Sequence, residues 1–373
     1  FPPGLYFPQA VAMFEVEDGI ARPLLFDMDV FDKTDKFPDV ELDGTLGYSG
    51  LRLRAELHKP DIFEEYAVFQ GASYFRGLGA GETYGLSARG LAVNTGEPEG
   101  EEFPDFIGLW LERPAHGEAT IGIAPLTSMF LFDDTERQRF DDFRPAVHDS
   151  DGLLIHNGGG ESIWRPLANP TTLQISSFVD TDPKGFGLMQ RKRKLEDFND
   201  LEAHYHNRPS LWVTPGEGWG KGSVSLVEIP ADLEIYDNIV AYWRPAEVIP
   251  AGAEHKMSYQ LDWGADTAPT PDADPMRVLN TAAGARPEGG RVFAIDFGPS
   301  PNLPDDLETI TKVVSTSAGT VTEGNLQHNP ATGGVRLAFT FMPEDAKLAE
   351  FRVQLLSGGT ALSELWLYRW TAK

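Results

Sequence analysis

The sequence predicts an all-β protein, and three observations support this fold class. Short runs of alternating apolar and polar residues recur along the chain, as in Gly50–His58, where Leu51 and Leu53 alternate with arginines. The 38 glycines and 28 prolines separate such runs at intervals typical of β-sandwiches. No segment sustains the 3.6-residue period of a long amphipathic helix. We therefore expect strands throughout.

The clearest alternating runs lie near the C-terminal end. Apolar residues occupy every second position at Val335, Leu337, Phe339 and Phe341, and again at Phe351, Val353 and Leu355. The sequence Ser-Gly-Gly-Thr at 357–360 then predicts a tight hairpin turn, because glycine accepts the positive φ that such turns require. Both runs are expected to be strands that bury one face.

A segment nearly free of apolar residues predicts the boundary between two domains. Ala, Asp, Thr and Pro dominate Gly264–Pro275. We expect a large β-sandwich over 1–264, a linker over 265–275 and a second sandwich over 276–373. The last part has about the length of an immunoglobulin-like domain. Most large aromatic residues precede the linker, so any chemistry is expected there.

The composition narrows the functional classes. A net charge of −26 repels phosphate backbones and anionic membranes, so we expect no nucleic-acid partner and a neutral or cationic ligand. No apolar run approaches ~18 residues, so no membrane insertion is expected. The absence of cysteine excludes disulfides, thiolate metal sites and cysteine nucleophiles.

Two aspartates are candidate catalytic acids. Asp149 lies in the run Asp-Asp-Phe-Arg-Pro-Ala-Val-His-Asp-Ser-Asp-Gly (141–152), and Asp237 opens Asp-Asn-Ile-Val-Ala-Tyr-Trp (237–243). Each precedes a strand-like apolar run, with aromatic residues close by. Glycoside cleavage needs such a pair, one carboxyl to protonate the leaving oxygen and one to activate water. The alternative is that both are turn residues, because aspartate is common at strand ends.

A glycine-rich stretch (69–92) carries a second set of candidates. Tyr74, Arg76, Tyr84 and Arg89 supply rings and guanidinium groups that suit sugar stacking and hydrogen bonding. No Gly-Lys-Ser/Thr follows, so this is not a nucleotide-binding loop.

Other site types have little support. His204 and His206 lie two apart, as zinc ligands on a strand can, but no third ligand is near in the sequence. The run at 149–152 resembles the start of a calcium loop and lacks its later ligands. We expect no metal and no cofactor.

The chain resembles the periplasmic glucan biosynthesis proteins G and D, which act on osmoregulated β-1,2-linked glucans. The resemblance is dense over 69–243 and weak in the C-terminal part. It rests on the glycine-rich stretch, on both aspartate runs and on blocks between them, Glu112-Arg113-Pro114, 124–132, 164–167, 185–191, 208–210, 219–223 and 227–230.

This resemblance implies a galactose-mutarotase-like β-sandwich followed by an immunoglobulin-like one, and a periplasmic location. Some family members are endo-acting β-1,2-glucanases that invert the anomeric centre, and relatives transfer glycosyl chains. The matching positions imply that Asp237 is the general acid and Asp149 the general base. Tyr205 and Glu234 match positions that line the catalytic centre.

Further substrate-binding candidates lie within the matching blocks, at Trp164, Arg191 and Trp243. For Trp243, as for Tyr74, the alternative is a core aromatic, since buried rings dominate most cores. For Arg191, as for Arg76 and Arg89, the alternative is a structural ion pair. The sequence alone leaves both alternatives open.

The chain departs from the family pattern at three places. The family continues past Glu112-Arg113-Pro114 with some forty or more residues, where this chain has only Ala115–Gly122. A basic-acidic-basic run of the family appears here as Arg191-Lys192-Arg193, with its middle residue replaced. The segment Met276–Gly290 lacks the tryptophan with which some members reach a neighbouring subunit, so a homodimer with shared substrate binding is left open.

Two functional hypotheses follow. In the first, the protein is an endo-acting, inverting β-1,2-glucan hydrolase or transglycosylase of periplasmic glucan metabolism. In the second, it is a non-catalytic glucan-binding or scaffolding protein of glucan biosynthesis, which would keep an aromatic cleft without needing both acids.

Overall fold

The predicted fold class is confirmed: the computed structural model of the chain is built from β-strands joined by turns and loops. It describes residues 122–135, 140–247, 257–271 and 273–372 with their side chains, apart from that of Trp263, and the backbone of the strands outside these ranges. Within these residues the helices are single 3-10 turns, Leu195–Asp197, Tyr205–Asn207 and Leu307–Thr309. No helix among them is long and apolar enough to span a membrane.

A ten-stranded sheet runs through the molecule. Nine strands follow one another across it, and the tenth, β28 (Thr360–Ala361), pairs with β27. The order is β23 (Ile310–Thr316), β27 (Leu348–Ser357), β29 (Leu365–Thr371), β13 (Ser162–Pro166), β12 (Gly152–His156), β15 (Gly185–Met189), β16 (Ser210–Pro215), β20 (Glu254–Gly264) and β6 (Tyr84–Val93).

Two further sheets cover this one. The first contains, in order, β14 (Gln174–Thr181), β17 (Lys221–Glu228), β18 (Ile239–Pro245) and β9 (Ile123–Ser128). The second contains β21 (Val278–Ala285), β22 (Arg291–Phe297), β26 (Gly334–Met342) and β24 (Thr320–Val321), with β25 (Asn325–Asn329) also paired to β26.

The remaining strands form small sheets. The members are β1 (Met13–Glu17) with β2 (Ile20–Leu24), β10 (Phe130–Phe132) with β11 (Val147–His148), β3 (Gly50–Glu56) with β4 (Phe63–Gln70) and β5 (Tyr74–Gly77), and β8 (Glu118–Ile121) between β7 (Leu111–Glu112) and β19 (Ile249–Pro250). Two of these sheets are two-stranded hairpins, β1 with β2 and β10 with β11, and the β10–β11 hairpin carries the candidate site.

The central strands β12, β13 and β15 are buried along their whole length. Alternate residues therefore contribute to two different cores. Leu153, Ile155 and Phe186 pack with the β9–β14–β17–β18 sheet, whereas Leu154 and Trp164 pack with the aromatic core of the C-terminal strands. A strand buried on both faces reads as a continuous apolar run rather than an alternating one.

The predicted C-terminal strands are confirmed. Every second residue of β26 is buried, from Val335 to Phe341, while Arg336 between them is exposed. The hairpin at 357–360 joins β27 to β28, and Gly358 and Gly359 have φ values of 57° and 85°. Side chains with a Cβ rarely adopt these angles, which explains the two glycines.

The ten-stranded sheet continues across the expected domain boundary. Strand β29, after the linker, pairs in parallel with β13, before it, through Ile163 with Leu365 and Trp164 with Trp366. Gly152 makes room for this arrangement, because a Cβ there would lie 2.1 Å from the Trp164 ring. The division at 265–275 remains a prediction. Sheet hydrogen bonds join the strands on either side of it.

A buried ion pair reinforces this junction. Arg191 donates two hydrogen bonds to Glu364, at 2.8 and 2.6 Å, and its guanidinium carbon lies 3.6 Å from the centre of the Trp164 ring. The Glu364 carboxylate also accepts from the Val278 backbone N–H at 2.7 Å. Both charged side chains are at most 5% exposed. A bidentate, buried pair of this kind depends on both partners.

We predict that Glu364→Gln lowers the free energy of unfolding by about 3 kcal/mol, because the buried Arg191 loses its counter-charge. Urea denaturation measures this change. The matched control is Glu350→Gln, which removes the partner of Arg369 at a site where the carboxylate is 45% exposed. It should cost less than about 1 kcal/mol. Equal losses in the two variants would contradict a special role for the buried pair.

Candidate functional site

The backbone of Met129 and Phe130 holds both candidate aspartates near one point. The Asp149 N–H donates to the Met129 carbonyl at 2.8 Å, and His148, one residue earlier, pairs with Phe130 across the β10–β11 hairpin. Asn238, which follows Asp237, accepts from the Phe130 N–H at 2.8 Å and donates to the Phe130 carbonyl at 3.0 Å. Asp149 is therefore bonded directly to the Met129–Phe130 backbone, and Asp237 directly precedes a residue that is bonded to it.

The two aspartates have different surroundings. The Asp149 carboxylate is 28% exposed and forms an ion pair with Nε of Arg208 at 3.2 Å. Asp237 is exposed, at the end of the loop that leads into β18. Asp149 is therefore partly buried beside a cation, whereas Asp237 faces solvent.

Arg144 organises the loops around the aspartates. Its guanidinium bonds Asp142 through Nε and Nη2, and Nη1 donates to Asp200 at 2.9 Å and to Glu234 at 2.8 Å. The Tyr205 hydroxyl donates to the same Glu234 oxygen at 3.0 Å. Three carboxylates thus converge on the Arg144 guanidinium, and Glu234 links it to Tyr205.

These contacts set the protonation of the cluster. Burial, followed by the charges of Glu234 and Asp149, raises the pKa of Tyr205, so this hydroxyl stays protonated at neutral pH. Hydrogen bonds, first to Asp142 and then to Asp200 and Glu234, raise the pKa of Arg144. Burial alone would raise the pKa of Asp200, but hydrogen bonds from Arg144 and two backbone N–H groups lower it overall.

A small apolar cluster supports the site from below. Tyr205 is 3% exposed and packs against Phe198, whose ring also meets the edge of the His148 imidazole at 5.0 Å. The other face of His148 stacks on Phe130 at 5.4 Å. Burial, and then the charge of Lys192, lower the pKa of His148 well below 6.5, so its imidazole is neutral. Methyl and ring groups of neighbouring residues complete the cluster, Met129, Leu131, Phe132, Ala146 and Val147.

Apolar side chains surround this polar cluster at the surface. Phe143 is 79% exposed and directly precedes Arg144, and Tyr236 is 55% exposed and directly precedes Asp237. Leu201 and Ile235 are each 75% exposed beside Asp200 and Glu234. Exposed aromatic rings beside polar groups suit the faces and hydroxyls of sugars.

Of the predicted site residues, Tyr205 and Glu234 share a hydrogen bond, and the charge of Asp149 acts on the Tyr205 hydroxyl. Asp237 lies three residues after Glu234, on the same loop. Trp164 and Arg191 lie instead at the junction of β13 and β29, where the arginine forms the buried ion pair that the sequence left as an alternative. Trp243 is fully buried in the core with Trp219, in agreement with its alternative as a core aromatic. A binding role for these three stays a prediction that no contact in the described residues supports.

The glycine-rich candidates are only partly described. Tyr74 and Arg76 lie on β5, paired with Gln70 and Val68, and Tyr84 and Arg89 lie on β6, paired with 263 and 258 of β20. Their side chains lie outside the described residues.

Sequence reasoning missed Arg144, Asp200, Arg208 and Asn238. Three of these lie inside or beside runs that carried the resemblance, but nothing in their spacing indicates a shared partner. Arg144 and Glu234 are 90 positions apart, and Asn238 and Phe130 are 108 apart. His204 and His206 lie with their rings 5.8 Å apart, and within the described residues no three potential ligands form a metal site.

Comparison with known proteins establishes the family. The family model described as "Periplasmic glucan biosynthesis protein, MdoG" matches residues 1–121 and 117–370. The chain is 43% identical to Glucans biosynthesis protein G of Vibrio cholerae serotype O1 over 417 aligned residues, covering all of this chain and 76% of the relative. It is 45% identical to the protein of the same name from Shewanella frigidimarina, covering 74% of that relative. The chain therefore belongs to the periplasmic glucan biosynthesis protein family.

Family membership confirms the predicted resemblance and the predicted periplasmic location. It also bears on the short junction at 115–122. The aligned length of 417 residues exceeds the 373 of this chain, and the two ranges matched by the family model meet at 117–121. The two matched ranges therefore meet at the same place where the resemblance predicts a missing segment of forty or more residues.

We predict that Asn238→Ala lowers the free energy of unfolding by about 3 kcal/mol. Asn238 is 2% exposed and bonds the Phe130 N–H, the Phe130 carbonyl and the Ile229 carbonyl, so its loss leaves buried backbone groups unpaired. Thermal or urea unfolding measures the change. Asn302→Ala, at an exposed position, is the control and should stay within about 0.5 kcal/mol. A loss no greater than that of the control would contradict the anchoring role.

We also predict an acid-sensitive stability caused by His148. In the unfolded chain this imidazole binds a proton below pH 6.5, whereas the folded protein resists protonation, so the free energy of unfolding falls as the pH drops below 6.5. Burial likewise lowers the pKa of His156 to about 4, which adds the same slope between pH 6.5 and about 4. His148→Phe should flatten the dependence without removing it. Urea midpoints across this range test it, and an unchanged slope would contradict it.

Proposed function

We propose that the protein is an endo-acting, anomer-inverting β-1,2-glucan hydrolase or transglycosylase of periplasmic glucan metabolism. The observation that carries the proposal is the convergence of Asp149 and the Asp237–Asn238 segment on Met129–Phe130, with Tyr205 and Glu234 beside them. Family membership supports a role in glucan biosynthesis, and the carboxyl pair adds a chemical mechanism to that role.

In this proposal Asp237 protonates the glycosidic oxygen while a water molecule or sugar hydroxyl attacks the anomeric carbon. The exposure of Asp237 lets a glucan chain reach it. Asp149, which pairs with Arg208, accepts the proton of the nucleophile directly or through water. Inversion requires carboxyl groups roughly 6.5–9.5 Å apart, which leaves room for the nucleophile between them.

Glu234 and Tyr205 act as positioning residues. Glu234 holds Arg144 and accepts from the Tyr205 hydroxyl, so the loop that ends at Asp237 is tied to the segment that carries Tyr205. The Tyr205 hydroxyl donates its single proton to Glu234, so its oxygen can accept a hydrogen bond from the nucleophile or from a water that relays the proton to Asp149. The exposed rings of Phe143 and Tyr236 would pack on pyranose faces.

We predict that Asp237→Asn and Asp149→Asn each reduce turnover of linear β-1,2-glucan by roughly 10²–10⁴-fold, because each removes one partner in proton transfer. Product analysis by chromatography measures turnover, and NMR of the initial products gives the anomeric configuration. The control is Asp305→Asn, an exposed aspartate in the C-terminal part, which should match the wild type.

The same experiment tests the second hypothesis. Negligible turnover by the wild type and by Asp237→Asn alike, with glucan binding retained in both, would favour the non-catalytic binding or scaffolding role. Retention of configuration in the product would contradict the inverting mechanism.

A further inference from the structure

A cavity of about 290 Å³ lies beside the linker, outside the cluster of candidate acids. It is bounded by the end of β15 and the start of β16 on one side and by the start of β21 on the other. Its lining includes three arginines, which is unusual in a chain with a net charge of −26. The polar lining residues are Gln190, Arg191, Arg193, Ser210, Asp266 and Arg277.

Two of the three arginines have carboxylate partners. Arg191 forms the buried pair with Glu364, and Arg277 forms a two-bond pair with Asp266 at 3.1 Å. Asp266 is 63% exposed and Arg277 is 45% exposed, so this second pair lies where the cavity opens to solvent. The charges of these two arginines are balanced within the protein.

Arg193 is different. Its guanidinium donates to the Arg208 carbonyl, to the Ser210 hydroxyl at 3.0 Å and to the Ala265 carbonyl at 2.9 Å, all of which are neutral oxygens. Its Nε–H is buried and has no acceptor among the described residues. Burial lowers the pKa of Arg193, and Asp151 and Asp266 offset this only from beyond ion-pair distance. This partly buried guanidinium therefore has only neutral oxygens as hydrogen-bond acceptors, and an anion in the cavity would supply a charged partner at closer range.

The shape of the cavity restricts what could supply that charge. Guanidinium groups bind planar or tetrahedral oxyanions through parallel N–H donors. The volume exceeds that of several water molecules at roughly 30 Å³ each, so a phosphate-sized group fits with water around it. A neutral sugar would leave the Arg193 charge uncompensated.

We propose that this cavity binds a small oxyanion of the phosphate or carboxylate class, with Arg193 as the principal charged donor and Arg191 and Arg277 on its walls. The site goes beyond the proposed glucan chemistry and does not depend on it. The anion is either free in solution or carried as a substituent on a larger molecule, since the cavity opens beside Asp266 and Arg277.

Calorimetric titration of the full chain with inorganic phosphate, at constant ionic strength in chloride, tests the proposal. Binding should saturate in the millimolar range or below, and Arg193→Gln should weaken it at least tenfold, because one charge-assisted interaction is lost. Arg193→Lys should restore part of the affinity. A parallel titration with glycerol phosphate compares an esterified ligand with the free anion. Tighter binding of glycerol phosphate indicates a substituent on a larger molecule, and tighter binding of phosphate indicates a free anion.

The matched control is Arg352→Gln, which removes an exposed arginine paired with Glu161 and should leave phosphate binding unchanged. Phosphate should also raise the melting temperature of the wild type, by linkage, and raise it less for Arg277→Gln. This second measurement decides the matter if Arg193→Gln does not fold. The absence of binding, or equal affinity in Arg193→Gln and the wild type, would overturn the proposal. None of these outcomes requires glucan turnover.

Discussion

The bonds between the Asn238 side chain and the backbone of Phe130 are the interaction on which the candidate site depends. Asn238 satisfies both polar groups of Phe130, a residue whose backbone also pairs with His148. The loops that carry Asp149 and Asp237 come from distant parts of the chain, and this junction fixes them to the same strand. A buried amide with all its bonds made is rigid, because any displacement leaves backbone groups unpaired.

The site is therefore built as a rigid hairpin with polar loops around it. Aromatic packing beneath the hairpin, from Phe130, His148 and Phe198, supplies the apolar contact that keeps a neutral imidazole in the interior. Above it, Arg144 pairs with three carboxylates and reduces the repulsion among them. In this acidic chain, a cation is required where Asp142, Asp200 and Glu234 come together.

The fold class and the C-terminal strands could be predicted because alternation and turn residues are local signals. The burial of Val335 and Phe341 and the glycine hairpin at 357–360 follow from that pattern alone. The central strands could not be assigned to a layer in this way, since both of their faces are buried.

The surrounding blocks singled out Asp149 and Asp237 as candidates, whereas no such signal pointed to Arg144 or Asn238. Arg191, predicted to bind substrate, instead pairs with Glu364, which lies 173 positions away, and no local pattern couples the two. An arginine that binds a sugar and an arginine that pairs with a buried carboxylate cannot be told apart in the sequence. Only their contacts distinguish them.

The segment 190–210 connects the arginine-lined cavity with the candidate base. Gln190 donates to the carbonyls of His148 and Tyr205, at 3.0 and 3.2 Å, and Arg193 donates to the carbonyl of Arg208. The side chain of Arg208 in turn pairs with Asp149. Arg208 thus contacts both the arginine of the cavity and the candidate base, so these two features share one short piece of backbone.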